Sequence, residues 1–333
     1  MADLGFKGNT VRRLREVHVV AAELGVAQGV GWAPAHHGEL LQGTFADDGT
    51  TSERRTYRAL VTLPLPHLGS RAVFHPSQDH WGVIGTPELA KVRRAAVRAL
   101  REFGGRPGTA KGGQIEITSD VPRGIGMGSS TSDVTATIRA VADYHGVFLT
   151  PEEVGRLAVA AECASDSIMI DDRVVLFAHR DGRVLETFGP ALPPMIVLGC
   201  DTDPGREVDT LAMRPAEHDD HEVAVFGVLR AALRRAIALG DVGLLGRVAT
   251  ASTVLNERYL PKPRLAELHA LLRKHGGCGI QVAHSGTVAG LIFPPDARDA
   301  ALRCRDAVRA MGLPITCLIG LDETTTEREM VTA

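Results

Sequence analysis

The sequence has little cysteine, no long apolar run and no large excess of charge of either sign. Its five cysteines, at 163, 200, 278, 304 and 317, form no CxxC pair and show no metal-ligand spacing. This scatter argues against a disulfide framework or a zinc site, and it predicts reduced thiols that are each buried alone. No window approaches the roughly 20 apolar residues of a membrane span, and the N-terminus lacks a signal-peptide layout, so we expect a cytoplasmic protein.

The charge balance also excludes a class of function. Lys and Arg total 37 against 40 Asp and Glu, for a formal net charge of -3. This argues against a nucleic-acid binder held by a general basic field, so any anion must meet a local site. The 333 residues are 44% hydrophobic, which is enough for one large or two medium domains.

Apolar spacing predicts a mixture of strands and helices in the first half of the chain. The segments are strands at 59–65 and 114–118, helices at 88–103, 130–144 and 150–163, and a hairpin that turns at Asp181 and Gly182. In the third helix Thr150 can act as N-cap, Pro151 suits the first turn, and Glu153 can close a capping box.

The second half predicts the β-α-β-β-α-β order of a split, ferredoxin-like fold. Its segments are a strand at 195–200, long helical segments over 217–272 that we group as one layer, strands at 279–283 and 288–293, a helix at 296–310 and a strand at 314–319. The stretch GPALPP near residue 190 is typical of a linker. We therefore expect two domains, 1–190 and 191–333.

The stretch VPRGIGMGSSTSD, residues 121–133, combines three glycines and three serines between a predicted strand and a predicted helix. Glycines let an anion approach the backbone, and free N–H groups at a helix start, aided by the helix dipole, form a phosphate site. The pattern lacks both the Walker G-x-x-x-x-G-K-[ST] motif and the dinucleotide fingerprint. A plain glycine-rich connector with a serine N-cap is the alternative.

Three motifs resemble those of the GHMP kinase superfamily. PRGIGMGSST at 122–131 is similar to its phosphate loop, GWAPAHHGELLQG at 31–43 to its substrate motif, and GGCGIQVAHSGTVAGLIF at 276–293 to its C-terminal glycine-rich motif. The resemblance implies an α+β, two-domain GHMP kinase fold, with an N-terminal domain like ribosomal protein S5 domain 2 and a ferredoxin-like C-terminal domain. ATP would bind the N-terminal domain, and the acceptor would bind the cleft between the domains.

Several stretches resemble one branch of the superfamily, the L-threonine kinases that supply O-phosphothreonine for the aminopropanol arm of cobalamin. They are GELLQG at 38–43, SSTSDVTATIRA at 129–140, SDS at 165–167, GCDTDPGREVDT at 199–210 and AHSGTVAGLIF at 283–293. The resemblance implies transfer of the γ-phosphate of ATP, with Mg²⁺, to the side-chain hydroxyl of L-threonine. A kinase for serine, homoserine, a modified amino acid or a sugar, and a non-catalytic sensor of the same fold, are the alternatives. The oligomeric state stays open, a homodimer included.

The resemblance also implies roles for residues around the phosphates. The phosphate-binding residues would be Pro122, Gly124, Gly126, Gly128, Ser129, Ser130 and Thr131. Ser130 would ligate Mg²⁺ together with Glu162, for which a solvated helix glutamate is the alternative. Asp166 would accept or orient the acceptor proton, with Asp171 and Asp172 as rivals. A valine at Gly126 is expected to block ATP while leaving the fold largely intact.

The acceptor would meet residues from three separate stretches: Glu39, Gln42, Arg206, His284, Ser285, Gly286 and Thr287. A charged loop around Arg206 and a tight β-turn at 284–287 are the alternative interpretations. His36 and His37 depart from the small residue and cysteine of the threonine branch. Without a third ligand nearby, adjacent histidines more often make cleft hydrogen bonds than bind a metal.

Overall fold

The fold is a long, mixed sheet with helices packed on it. The computed structural model describes residues 28–47, 55–77, 82–85, 89–103, 111–206, 208, 216–259 and 261–320. The strands are β1 Gly29–Ala46, β2 Thr56–Ser77, β3 Gly82–Ile84, β4 Gly112–Ser119, β5 Val174–Ala178, β6 Arg183–Gly189, β7 Ile196–Asp201, β8 Gly279–Val282, β9 Val288–Phe293 and β10 Ile315–Ile319. The helices are α1 Ala90–Phe103, α2 Ser129–Tyr144, α3 Pro151–Glu162, α4 Asp220–Leu239, α5 Val242–Asn256, α6 Leu265–Lys274 and α7 Arg298–Ala310.

One sheet crosses both halves of the chain. Its strand order is β10-β7-β9-β8-β1-β2-β4-β3, and the β5–β6 hairpin joins it through β2. The pairings are antiparallel except for β3 with β4. The halves meet where Glu39 of β1 pairs with Val282 of β8. The boundary near residue 190, between β6 and β7, stays a prediction.

The first half is covered by α1, α2 and α3. Helix α1 buries Val92, Ala95, Ala96 and Ala99, which the 3.6-residue period places on one face. Helix α3 begins at the predicted capping box: the Thr150 hydroxyl accepts from the Glu153 N–H, and the Glu153 carboxylate accepts from the Thr150 N–H at 2.7 Å. These helices and the sheet enclose two apolar clusters beside the phosphate loop.

The second half confirms the predicted split pattern. Strands β7, β8, β9 and β10 lie in the spatial order β10-β7-β9-β8, with helices before β8 and after β9. The long helical segments predicted over 217–272 are three helices, α4, α5 and α6. Helix α4 ends at Gly240, which has the left-handed φ of 68°, and α5 starts at Asp241, whose side chain accepts from the Leu244 N–H at 2.8 Å.

One expectation needs correction and one lies outside the described residues. Cys163 is exposed and Cys278 is half-buried, so the thiols are not all buried, although all five are free. Cys163 ends α3 in a left-handed conformation, which turns its side chain away from the apolar face of the helix. The predicted helix start at Glu88 falls outside the described part of the chain. Among the described helices, none is long and apolar enough to cross a membrane.

Candidate active site

The glycine-rich loop, the predicted anion cradle, leads directly into the start of α2. Gly124, Gly126 and Gly128 all have positive φ, at 77°, 90° and 75°, which non-glycine residues rarely adopt. Gly128 occupies the N-cap and Ser129 begins the helix, so no side chain caps the first turn. The first backbone N–H groups of an α-helix have no partner within the helix, and here they face the loop. Phosphate binding at these N–H groups stays a prediction.

A second group of oxygen atoms lies beside this cradle. The Ser130 hydroxyl donates to Oε2 of Glu162 at 2.9 Å, and the Thr131 hydroxyl donates to Oε1 at 3.1 Å. Burial raises the pKa of Glu162 to about 7, although Lys91, with Nζ 3.8 Å from Oε2, opposes this effect. A buried carboxylate and a hydroxyl are hard oxygen ligands of the kind Mg²⁺ prefers, so Ser130 and Glu162 fit that ion and would hold it.

Asp166 lies between the phosphate loop and the substrate motif. Its Oδ2 accepts from the Thr131 hydroxyl at 3.3 Å and lies 3.0 Å from Nε2 of His36. Burial alone would raise the pKa of Asp166, but the charge and hydrogen bond of His36 lower it well below the usual range. The rivals lie elsewhere: Asp171 and Asp172 are exposed, and Asp172 accepts from Arg173. Asp166 is hydrogen-bonded to Thr131 in the first turn of the loop helix, whereas the charge of Asp171 acts on Arg139 farther along that helix.

The substrate motif reaches Asp166 because β1 is irregular between Pro34 and Leu41. Gly38 has a φ of 66°, and a Cβ there would clash with Gln281 and the backbone of β8. This bulge turns His36 inward: its backbone N–H donates to Met127 at 3.2 Å, and its ring packs against Gly128. His36 therefore contacts both the phosphate loop and the carboxylate of Asp166.

The two adjacent histidines have opposite charge preferences. Burial would lower the pKa of His36, but Asp166 and Glu39 outweigh it and raise the pKa to about 9. Burial and the neighbouring charge of His36 lower the pKa of His37 to about 3. His37 is held as a neutral ring by Thr316, at 2.8 Å, and by the side chain of Gln281, also at 2.8 Å.

Glu39, Gln42 and His284, which the sequence predicted to bind the acceptor, lie together in the structure. The backbone N–H of His284 donates to Oε2 of Glu39, and Nδ1 of its ring lies 2.8 Å from Oε1 of Gln42. Oε1 of Glu39 is buried and has no hydrogen-bond partner among the described residues. Burial raises the pKa of Glu39 to about 8, and the nearby charge of Lys262 opposes that rise. A cationic group of a ligand would satisfy this carboxylate.

The 284–287 turn packs directly on the phosphate loop. The N–H of Thr287 donates to the carbonyl of Ile125 at 2.9 Å, and a Cβ on Gly126 would clash with the carbonyl of Ser285. Gly286 has a φ of 121° and meets the backbone of Gly126. The expectation that valine at Gly126 would leave the fold largely intact is therefore wrong, because the added side chain would force this backbone contact apart.

Arg206 lies at the edge of the site. It is exposed, and its Nη1 donates to Asp203 at 3.2 Å. Its positive charge contributes to the lowered pKa of Lys262. The loop around it does reach the phosphate loop, because the N–H of Val208 donates to the carbonyl of Gly124 at 3.2 Å. The end of the predicted 199–210 stretch, at 207 and 209–210, lies outside the described residues.

Three residues of the site were not predicted from the sequence. Lys91 of α1 lies beside Glu162, Lys262 lies near Glu39, and His179 packs on His284. Lys91 and Lys262 are ordinary surface types in their sequence context. His179 carried one usable signal, because it directly follows a run of apolar strand residues before the Asp181-Gly182 turn.

The chain is similar to known proteins both in sequence and in fold. Residues 90–175 match the GHMP kinases N terminal domain and residues 229–310 match GHMP kinases C terminal, together about half of the chain. An L-threonine kinase of Citrobacter freundii is 28% identical over 284 residues, covering 81% of this chain and 88% of that protein. An L-threonine kinase of Salmonella typhimurium is 27% identical over 191 residues, covering 56% of this chain and 62% of that protein.

Solved structures show the same fold. A homoserine kinase from Cytophaga hutchinsonii matches with a TM-score of 0.62 and 16% identity, over 87% of this chain and 93% of that one. A mevalonate kinase from Staphylococcus aureus matches with a TM-score of 0.56 and 16% identity, over 86% of this chain and 98% of that one. At this identity the likeness concerns the architecture, which confirms the predicted two-domain fold.

Proposed function

Since the chain belongs to the GHMP kinase superfamily, as an ATP-dependent small-molecule kinase that phosphorylates an alcohol, we propose that its acceptor is the side-chain hydroxyl of L-threonine. The product is O-phospho-L-threonine. The relatives named L-threonine kinase support this acceptor, the longer match extending over 81% of the chain. We further propose that the enzyme works in the cytoplasm and supplies the aminopropanol arm of cobalamin.

The observation that carries the proposal is the position of Asp166. Its carboxylate contacts Thr131, in the first turn after the phosphate loop, and His36 of the substrate motif. A hydroxyl presented here stands between the γ-phosphate position and the acceptor residues, so alignment follows from the fold. When bound, Mg²⁺ would neutralise charge on the phosphate oxygens, held by Ser130 and Glu162.

The chemistry of this chain's residues follows from their charges. The acceptor oxygen forms a bond to the γ-phosphorus, the bond from that phosphorus to the ADP oxygen breaks, and the hydroxyl proton passes to Asp166. The lowered pKa of Asp166 keeps it ionised but makes it a weak base. Asp166 therefore chiefly orients the hydroxyl and receives its proton late, when the oxygen has become acidic.

Glu39 fits the other end of an amino acid. Its Oε1 makes no hydrogen bond among the described residues and lies 3.6 Å from Nδ1 of His36, and an ammonium group bound beside it would favour the charged carboxylate and pair with it. The expected carboxylate clamp, Arg206, is exposed and already bonded to Asp203. The carboxylate of the acceptor therefore needs a partner elsewhere in the pocket.

A screen of acceptors tests the proposal. Purified enzyme with ATP and Mg²⁺ is offered L-threonine, L-serine, L-homoserine and a hexose, and phosphorylated products are followed by ³¹P NMR and mass spectrometry. We expect the highest kcat/KM with L-threonine and a raised threonine KM in Glu39→Gln. Failure with millimolar threonine alongside turnover of another acceptor would show that the threonine assignment is wrong. A protein that binds ATP and phosphorylates nothing would be a sensor of the same fold.

A further inference from the structure

His179 has a buried polar ring that makes no hydrogen bond within the described residues. It directly follows β5, its relative exposure is 3%, and neither ring nitrogen has a hydrogen-bond partner within the described part of the chain. Burying a polar group without a partner costs free energy, so such a group needs an explanation. A ligand that bonds to the ring would supply one.

The surroundings of His179 locate that ligand. Its ring lies 4.9 Å, between centroids, from the ring of His284, which contacts Gln42 through Nδ1 at 2.8 Å. Its carbonyl accepts from the N–H of Ser165 at 2.8 Å, and the next residue along is Asp166. His179 therefore lies on the acceptor side of Asp166, behind the residues predicted to bind the substrate.

The charges around His179 indicate the kind of group it meets. Burial lowers its pKa, and the positive charges of Arg180 and Arg58 add to that effect, while Asp166 opposes it. The ring is thus neutral, with one N–H donor and one acceptor nitrogen. The positive charges of Arg58 and Arg180 also contribute to the lowered pKa of His284. A neutral donor with guanidinium charges nearby favours an anionic ligand group.

We propose that His179 is an acceptor-binding residue whose ring N–H donates to the carboxylate of the amino-acid acceptor. This inference rests on the proposed function, in that it takes the acceptor to be an amino acid. Glu39 then holds the ammonium group, Asp166 orients the hydroxyl, and His179 takes the remaining polar group. Each of the three functional groups of the acceptor has its own partner.

Steady-state kinetics of His179→Leu test this role. A hydrogen bond to a charged group corresponds to a rise in the acceptor KM of about 10- to 100-fold, with the KM for ATP unchanged. His179→Gln keeps an N–H donor and should lie between wild type and His179→Leu. His221→Leu, at an exposed position on α4, is the matched control and should change neither KM.

Stability separates this role from a structural one. Since the free protein leaves the ring unpaired, His179→Leu should keep or raise the thermal midpoint while acceptor binding weakens. A structural histidine would show the reverse, a lower midpoint with an unchanged acceptor KM.

The decisive experiment removes the carboxylate from the acceptor. With 1-amino-2-propanol, which has the hydroxyl and ammonium groups of threonine but no carboxylate, wild type and His179→Leu should show equal kcat/KM. An equal loss with threonine and with the amino alcohol would overturn the contact. If the screen finds serine or homoserine instead of threonine, the threonine assignment fails, and the same comparison is run with ethanolamine or 3-amino-1-propanol. An acceptor without a carboxylate would overturn the His179 proposal.

Discussion

Replacing His36 with glutamine should destabilise the protein by an amount that depends on pH. The ring of His36 is buried, with Nε2 3.0 Å from Asp166 and Nδ1 3.6 Å from Glu39. Its pKa rises from 6.5 to about 9. At about 1.4 kcal/mol per tenfold change in proton affinity, this corresponds to about 3 kcal/mol of stability at most.

The sign of the effect follows from the direction of the shift. A pKa raised in the folded state contributes stability that is complete below the unfolded value of 6.5 and is lost as pH rises through about 9. The pKa values of Glu39 and Glu162 are raised to about 8 and about 7, so these two groups also lower the free energy of unfolding as pH rises. The pH dependence of wild type alone is therefore not diagnostic, and the difference between wild type and variant is needed.

The measurement is urea unfolding, followed by circular dichroism, at about pH 6, 7.5 and 9.5. The difference in unfolding free energy between wild type and His36→Gln should be largest at the lowest pH and smallest at the highest. His37→Gln is the matched control, because the pKa of His37 is lowered to about 3 and its ring is neutral throughout this range. Because the pKa of His37 is 6.5 in the unfolded chain, the cost of His37→Gln should be somewhat smaller at pH 6 and constant from pH 7.5 upward, a trend opposite to that of His36→Gln.

One result would refute the reasoning. If the cost of His36→Gln is no larger at pH 6 than at pH 9.5, as expected for His37→Gln, His36 is neutral in the folded protein. Its ring would then accept at Nδ1 from the Gly38 N–H, 3.2 Å away, and donate from Nε2 to Asp166.

Three further predictions follow from the same structure. Asp166→Asn should lower kcat by about 10²- to 10⁴-fold with ATP affinity retained, measured by single-turnover kinetics and nucleotide titration, and near-normal turnover would remove its role. Ser130→Ala should raise the Mg²⁺ concentration needed for half-maximal activity, and an unchanged requirement would place the ion elsewhere. Gly31→Ala should lower the thermal midpoint because its Cβ meets the backbone carbonyl of Ala136. Gly227→Ala, in helix α4 with open space around it, should stabilise by up to about 1 kcal/mol, and shifts of the same sign would contradict one of the two predictions.

Most helices and strands could be predicted from the sequence because their periodicity is local. Helix α3, with its Thr150 capping box, begins at the predicted residue. Strand β1 was not predicted, since its buried polar run from His36 to Glu39 interrupts any alternation of apolar and polar residues. Those residues are buried by contacts with residues distant in the sequence, such as Asp166 and His284, which a local pattern does not reveal.

The candidate site likewise has parts that could be predicted from the sequence and parts that could not. The glycine loop is contiguous, so both its position and its chemistry follow from one stretch of sequence. The contact between His36 and Asp166 joins residues 130 positions apart, and the proximity of Lys91 to Glu162 likewise depends on how α1 packs. The pairing of Arg206 with Asp203 shows the converse, because a cation in a suitable stretch of sequence can have its partner beside it.

The contact between Gly126 and the 284–287 turn joins the predicted ATP site to the predicted acceptor site. Ile125 accepts from the N–H groups of Thr287 and Val288, so a ligand that orders the phosphate loop also orders the turn on the acceptor side. Coupling between two binding sites is reciprocal: whatever factor ATP contributes to acceptor affinity, the acceptor must contribute to ATP affinity. Each ligand is titrated with and without a non-reacting analogue of the other. The two ratios of affinity should be equal and greater than one.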